Sequence, residues 1–92
     1  MKIKGGTFKD RLAGLFELPR EIVMDVPRIT MIGNLQVTVE NHRGVIEYSP
    51  ERCVIGIHNG QMTIQGRDLV IGIIYEDEIT VTGFIGAVQF SA

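Results

Sequence analysis

The chain has one cysteine, no tryptophan and only three prolines, and aromatic side chains make up 7% of its 92 residues. A lone Cys53 cannot form an internal disulfide, which excludes a disulfide-stapled secreted scaffold and points to a reducing compartment, the cytoplasm by default. No run approaches the roughly 18 to 20 consecutive apolar residues of a membrane-spanning helix, and Met1 to Phe16 lacks the apolar stretch of a secretory signal. Charge of one sign is also scarce, with a net value of −2. It is unevenly spread: residues 1–20 carry five basic and two acidic side chains, and the remainder carry four and nine. An acidic body with four scattered arginines would repel a phosphate backbone, so nucleic acid is not an expected partner. The basic head could still favour an anionic membrane surface.

What is present in quantity is Ile and Val, within a hydrophobic content of 45%. Branched side chains suit pleated sheets. Ninety-two residues fit one domain, and a domain of this size buries only about 60 to 65% of its unfolded surface, so it gains from a partner or from self-association.

The head has a different period from the body. Phe8, Leu12, Leu15 and Phe16 fall at i, i+4, i+7 and i+8, which predicts an amphipathic helix over Thr7 to Leu18 within an N-terminal segment 1–18. Thr7 suits its N-cap, and Pro19 disfavours helical geometry at Leu18. This apolar face could cover the sheet or insert at a membrane surface. Residues 19–27, bracketed by Pro19 and Pro27, read as an extended connector.

From Arg28 the pattern changes to short branched runs separated by Gly, Asn and Asp, which predicts a β-rich core over 28–90. The expected strands are Arg28 to Ile32, Leu35 to Glu40, Val45 to Tyr48, Cys53 to His58, Gln61 to Gln65, Leu69 to Tyr75, Glu78 to Thr82 and Ile85 to Phe90. Gly33-Asn34 and Asn59-Gly60 read as two-residue hairpin links. Val54-Ile55-Gly56-Ile57 followed by Met62 to Gly66 is echoed by Val70-Ile71-Gly72-Ile73 followed by Ile79 to Gly83. Tandem hairpins repeat at such a period, and so do the coils of a β-solenoid. The fold class expected is all-β with one short N-terminal helix, as an antiparallel β-sandwich or partly open barrel, with a short β-solenoid as the alternative.

Three further stretches, Leu18-Pro19-Arg20-Glu21, Asp25 to Asn34 and Val39 to Gly44, together with the later Ile64-Gln65-Gly66-Arg67-Asp68-Leu69, resemble the sporulation proteins of the YabP/YqfC family. The resemblance runs from Leu18 to Phe90 and contains no catalytic motif. It implies a protein of endospore-forming bacteria, acting in the mother cell during envelope development, with a protein partner that includes membrane-bound sporulation proteins among its candidates.

Candidate chemistry is sparse. Cys53, His42 and His58 are the soft or nitrogenous metal ligands, without the Cys-x-x-Cys or His-x-x-x-His spacing of a zinc site, so no metal and no other cofactor is expected. Cys53 lies in the branched run Cys53-Val54-Ile55, a core position rather than a nucleophile turn. Ser49 and Ser91 sit in a turn and a tail, away from any nucleophile elbow. Glu76-Asp77-Glu78 lacks the spacing of a calcium loop and reads as the solvated tip of a hairpin. These patterns predict no enzyme and no small-molecule substrate. Arg28 and Arg43 flank the family-like segments and read either as contacts to a partner's carboxylates or as surface pairs with Glu40 or Glu47. The expectation that follows is an interaction or assembly module. A peripheral membrane adaptor using Phe8, Leu12, Leu15 and Phe16, and a self-assembling homo-oligomer, are its alternatives.

Overall fold

A computed structural model describes residues 25–75 and 77–92. The helix expected over Thr7 to Leu18 and nearly all of the 19–27 connector lie outside these residues. Six strands form one antiparallel sheet: β1 (Arg28–Ile32), β2 (Gln36–Glu40), β3 (Val45–Ser49), β4 (Arg52–Ile57), β5 (Gly60–Ile74) and β6 (Glu78–Ser91). Their spatial order is β1-β2-β6-β5-β4-β3. Every pairing is antiparallel, which excludes the solenoid alternative, whose successive coils would pair in parallel.

Alternation along β2 and the start of β6 explains which face is buried there, whereas in β4 and β5 consecutive residues on both faces are buried, Val54 and Thr63 among them. In β2, Val37 and Val39 are buried between half-buried Gln36, Thr38 and Glu40, and in β6 Ile79 and Val81 repeat the pattern. Val37 pairs with Val81 and Val39 with Ile79, so the apolar residues stack in rows across neighbouring strands. In the other half, Cys53 pairs with Ile64 and Ile55 with Met62, all four fully buried. With Leu69 and Ile85 these side chains form a single core cluster.

Two of the expected breaks are not loops. Gln61 to Gln65 and all of Leu69 to Tyr75 except Tyr75 itself belong to one continuous β5, and Glu78 to Thr82 and Ile85 to Phe90 belong to β6. The two strands form a long ribbon whose register shifts between Gln65 and Gly66, between Arg67 and Val70, and between Ile71 and Ile73. The disrupted middle of the ribbon divides the sheet. β2 pairs with 78–82 of β6, whereas β4 pairs with 60–65 of β5, and the buried side chains of both halves enter the one core. The sheet therefore bends about the ribbon's middle, as bulges cause strands to do. Asp68, at φ 55, and Gly83, at φ 142, supply left-handed backbone there. Gly66 is required for a different reason: a Cβ at this position would overlap the Phe84 carbonyl oxygen.

Backbone groups released by the bend are taken up by the outer hairpins. The Gly66 and Leu69 N–H groups donate to the carbonyls of Glu51 and Pro50, at 3.0 and 2.8 Å. The Gly83 and Ile85 N–H groups donate to Leu35 and Asn34, at 3.1 and 2.8 Å. Buried backbone polar groups left without partners would be costly, so the two turns complete what the interrupted ladder omits.

The turns themselves differ in detail from expectation. The β1–β2 turn spans Gly33, Asn34 and Leu35, because Ile32 pairs with Gln36, and the Leu35 N–H donates to the Ile32 carbonyl at 3.2 Å. Ile57 pairs with Gly60, so the β4–β5 link is His58-Asn59, with Asn59 at φ 59. Gly60 already belongs to β5. The sequence echo is resolved as two tandem hairpins, β4 with the start of β5 and the end of β5 with the start of β6.

The close approach at Gly66 predicts that Gly66→Ala costs about 1–3 kcal/mol by forcing the two strands apart. Gly72→Ala should stay within about 0.5 kcal/mol, since the nearest atom to its new methyl is the Thr80 carbonyl oxygen at 4.0 Å. Urea unfolding of the two variants distinguishes these outcomes, and equal losses would contradict the placement of Gly66.

Candidate interaction surface

The residues with chemical potential do not converge. Cys53 is fully buried on β4, and burial pushes its thiol pKa above the ordinary value because the apolar core disfavours the thiolate. His58 lies exposed in the β4–β5 turn, with Nε2 at 3.2 Å from the Asn59 amide nitrogen. His42 lies in the β2–β3 connection, where its Nδ1 accepts the Gly44 N–H at 2.9 Å. That bond places the ring proton of the neutral imidazole on Nε2, a buried atom without a hydrogen-bond partner among the described residues. No group of three or more His, Cys, Asp or Glu side chains among the described residues is arranged to hold a metal ion.

The remaining acidic and hydroxyl candidates have structural surroundings. The β5–β6 tip is closed by paired bonds between Tyr75 and Glu78, and the Asp77 carbonyl accepts the Asn41 N–H at 2.6 Å. Ser49 Oγ accepts the Arg52 N–H at 3.0 Å inside the β3–β4 turn. Ser91 ends β6, away from Ser49. An open groove of about 360 Å³ is lined by Asn34, Gly66, Arg67, Phe84, Ile85 and Gly86. The Arg67 guanidinium lies 4.5 Å from the centre of the Phe84 ring, a cation–π contact. The groove presents this cation and aromatic ring, with no carboxylate, imidazole or thiol among its lining residues.

Arg28 and Arg43 occupy different elements. Arg28, on β1, lies 3.6 Å from Glu40 on β2, with its side chain 82% exposed, so the pair contributes about 0–1 kcal/mol at most. Arg43, in the β2–β3 connection, is held through its backbone: its N–H donates to the Gly56 carbonyl at 2.7 Å while its side chain is exposed. Among the described residues no ion pair involves Arg43. Glu47 pairs instead with Arg52, at 2.7 Å.

The most conspicuous surface features are the two ends of the sheet. β1 and β3 are its terminal strands, and among the described residues no strand covers the outer side of either. Both carry exposed apolar side chains: Met31 and Ile32, with neighbouring Leu35, at one end, and Val45, Ile46 and Tyr48 at the other. Tyr48 is also anchored, since its hydroxyl donates to the Leu69 carbonyl at 2.5 Å. An open strand edge displays unpaired N–H and C=O groups that can template another strand, and apolar side chains beside it supply area for that contact. The spacing of Val45, Ile46 and Tyr48 already marked β3 as a strand. Its exposure, and the open edge of β1, follow from strand order, which periodicity does not specify.

Among the described residues this geometry defines an all-β module with one apolar core cluster and with terminal strands, β1 and β3, that no other strand pairs on the outer side. Residues 25–92 match the YabP family, and the chain belongs to that family. It is also similar to the uncharacterized protein YqfC of Bacillus subtilis (strain 168), at 38% identity over 79 residues, covering 86% of this chain and 85% of that protein. No solved structure matches it. Membership of the YabP/YqfC family suggests a sporulation-related protein. No helix among the described residues is long and apolar enough to cross a membrane.

Burial of the thiol gives a pH prediction with a definite sign. Because the folded-state pKa is raised, its contribution is fully present below the unfolded thiol's pKa, about 8.5. Above that pH the unfolded state loses the proton while the folded state keeps it, so stability falls. Urea unfolding between pH 7.5 and 10 should show a decline in the wild type that is smaller in Cys53→Val. Native Cys53 should also react with a thiol reagent at least tenfold more slowly than the urea-unfolded chain. Equal rates would place the thiol at the surface.

Proposed function

We propose that this chain is a non-enzymatic assembly module of the sporulating mother cell, which acts in the cytoplasm by pairing an open sheet edge with another protein chain during endospore envelope development. The observation that carries this reading is the apolar pair of terminal strands, which no strand among the described residues covers, with Ile32 and Ile46 each 59% exposed. Main-chain hydrogen bonds along such an edge supply affinity, and alternate side chains supply selectivity. The family supports the process, and the dispersal of Cys53, His42 and His58 favours binding over catalysis. Arg28 and Arg43 are assigned to contacts with the partner's carboxylates, where an exposed guanidinium offers paired donors. A membrane-bound sporulation protein is the partner class favoured here, since it would localise a chain otherwise limited to reversible membrane attachment.

Photo-crosslinking side chains placed at Ile32 and Ile46 test this in sporulating cells, with Gln65, exposed on β5 but paired on both sides to Arg52 of β4 and Ala87 of β6, as the control. At least one edge position should capture a discrete protein, and Gln65 should not. Capture at Gln65 alone, or turnover of a small molecule by a chain that captures nothing, would overturn the reading.

A further inference from the structure

The two edges are chemically different, and β1 has a property that β3 lacks. In β3 the register shifts between Val45 and Glu47, and Glu47 stands at the centre of the strand. Antiparallel pairing of β3 with its own copy about that centre would place two carboxylates opposite each other, which is destabilising. A bulge and a central charge are both devices that guard an edge against self-pairing. β1, with the sequence Arg-Ile-Thr-Met-Ile, has a regular register throughout and its single charge at one end.

Its rows continue those of the sheet. Thr30 pairs with Thr38 and Thr38 with Thr80, giving a threonine row across three strands, with the Thr38 and Thr80 hydroxyl oxygens 3.2 Å apart. On the opposite face Ile29 continues the Val39 and Ile79 row, and Met31 continues the Val37 and Val81 row. Val37, Val39, Ile79 and Val81 are fully buried, yet Met31, on the same face, is 47% exposed. Among the described residues the core is thus unfinished at the β1 margin.

From this juxtaposition we infer that the outer edge of β1 takes a second copy of this chain, in antiparallel register about Thr30. A two-fold axis there places Thr30 against Thr30 of the other copy, Ile29 against its Met31 and Arg28 against its Ile32. The threonine row becomes six residues long on one face. On the other, each core row runs unbroken from one protomer into the next, and Met31 is covered. The two Arg28 side chains lie at opposite ends of the pairing, so no like charges meet. The contact is isologous and closes as a dimer. This inference rests on the edge-pairing reading and assigns one edge of it, leaving β3, and Arg43 on the connection before it, for a different chain, while Arg28 in the dimer keeps its pair with Glu40. An interface built on one five-residue strand falls below the roughly 1,200 Å² of stable complexes, so the dimer is a weak and reversible one.

The test uses charge exchange at the axis. Thr30 is exposed, so Thr30→Lys and Thr30→Glu are compatible with the folded protomer, which circular dichroism of each variant checks. In analytical ultracentrifugation the wild type should sediment as a reversible dimer, and each variant should weaken the dimer at least tenfold. An equimolar mixture of the two should recover it, because lysine then faces glutamate. Any of four outcomes overturns the proposal: a wild type that stays monomeric to millimolar concentration, variants that dimerise undiminished, a mixture that recovers nothing, or open filaments in place of dimers. Crosslinking from Ile46 in cells is a separate readout. If it still captures another protein when Thr30 exchange has no effect on self-association, the dimer fails and the edge-pairing function stands.

Discussion

The structure depends on one constraint: a single six-stranded sheet of short branched strands must enclose its own apolar face. The middle of the β5–β6 ribbon resolves it. Left-handed backbone at Asp68 and Gly83, and the close passage of Gly66 under the Phe84 carbonyl, let the ribbon change register and direction without ending. The cost of a broken ladder is offset because the carbonyls of Asn34, Leu35, Pro50 and Glu51 accept the N–H groups it exposes. Both outer hairpins are thereby tied to the bend, and core packing, turn position and ribbon geometry become interdependent. A change at the bend is transmitted to both ends of the sheet.

Much of this could be read from residue order, for reasons that are local. The strands at Arg28 to Ile32, Val45 to Tyr48 and Cys53 to His58 were recognisable because alternation and branching are properties of neighbouring residues, and their observed bounds differ by a residue or less at each end. Gly66-Arg67-Asp68 and Gly83-Phe84 read as strand breaks because glycine and aspartate ordinarily punctuate. Here they act as bulges, and the difference lies in hydrogen bonds to distant turns that a local pattern does not contain. The same applies to Asn59-Gly60, where the positive φ belongs to Asn59, and Gly60 has a separate reason to be small: a Cβ would overlap the Ser91 carbonyl oxygen. The interaction surface was the least legible part. Nothing in Arg-Ile-Thr-Met-Ile says whether a strand is central or terminal. Thr30 and Met31 gained meaning only through the alignment of β1 with β2 and β6.

Cys53 and His42 illustrate how a reactive residue type can be absorbed by a fold. The thiol shares the core with Ile55, Met62 and Ile64, where its low polarity and small volume matter and its ionisation is suppressed. The imidazole of His42 is used as an acceptor that shapes the loop at Gly44, whose φ of 107 suits glycine. Neither role requires the two groups to meet, and the fold holds them on separate elements.

Strand order also bears on how the chain reaches this state. β2 is made early and its inner neighbour β6 after every other strand, so the contact between Thr38 and Thr80 joins positions 42 residues apart. During synthesis the β1–β2 hairpin and the β3–β4–β5 meander can form from nearby residues, but the two cannot be united until β6 has emerged to lie between β2 and β5. That closure carries the largest entropic penalty among the strand pairings and makes acquisition of the native state a late event, of the slow kind expected for non-local β topologies. Until then, β2 has an exposed inner edge of its own, and a nascent chain held in that condition is the one most open to capture by a chaperone or to misassembly with a neighbour.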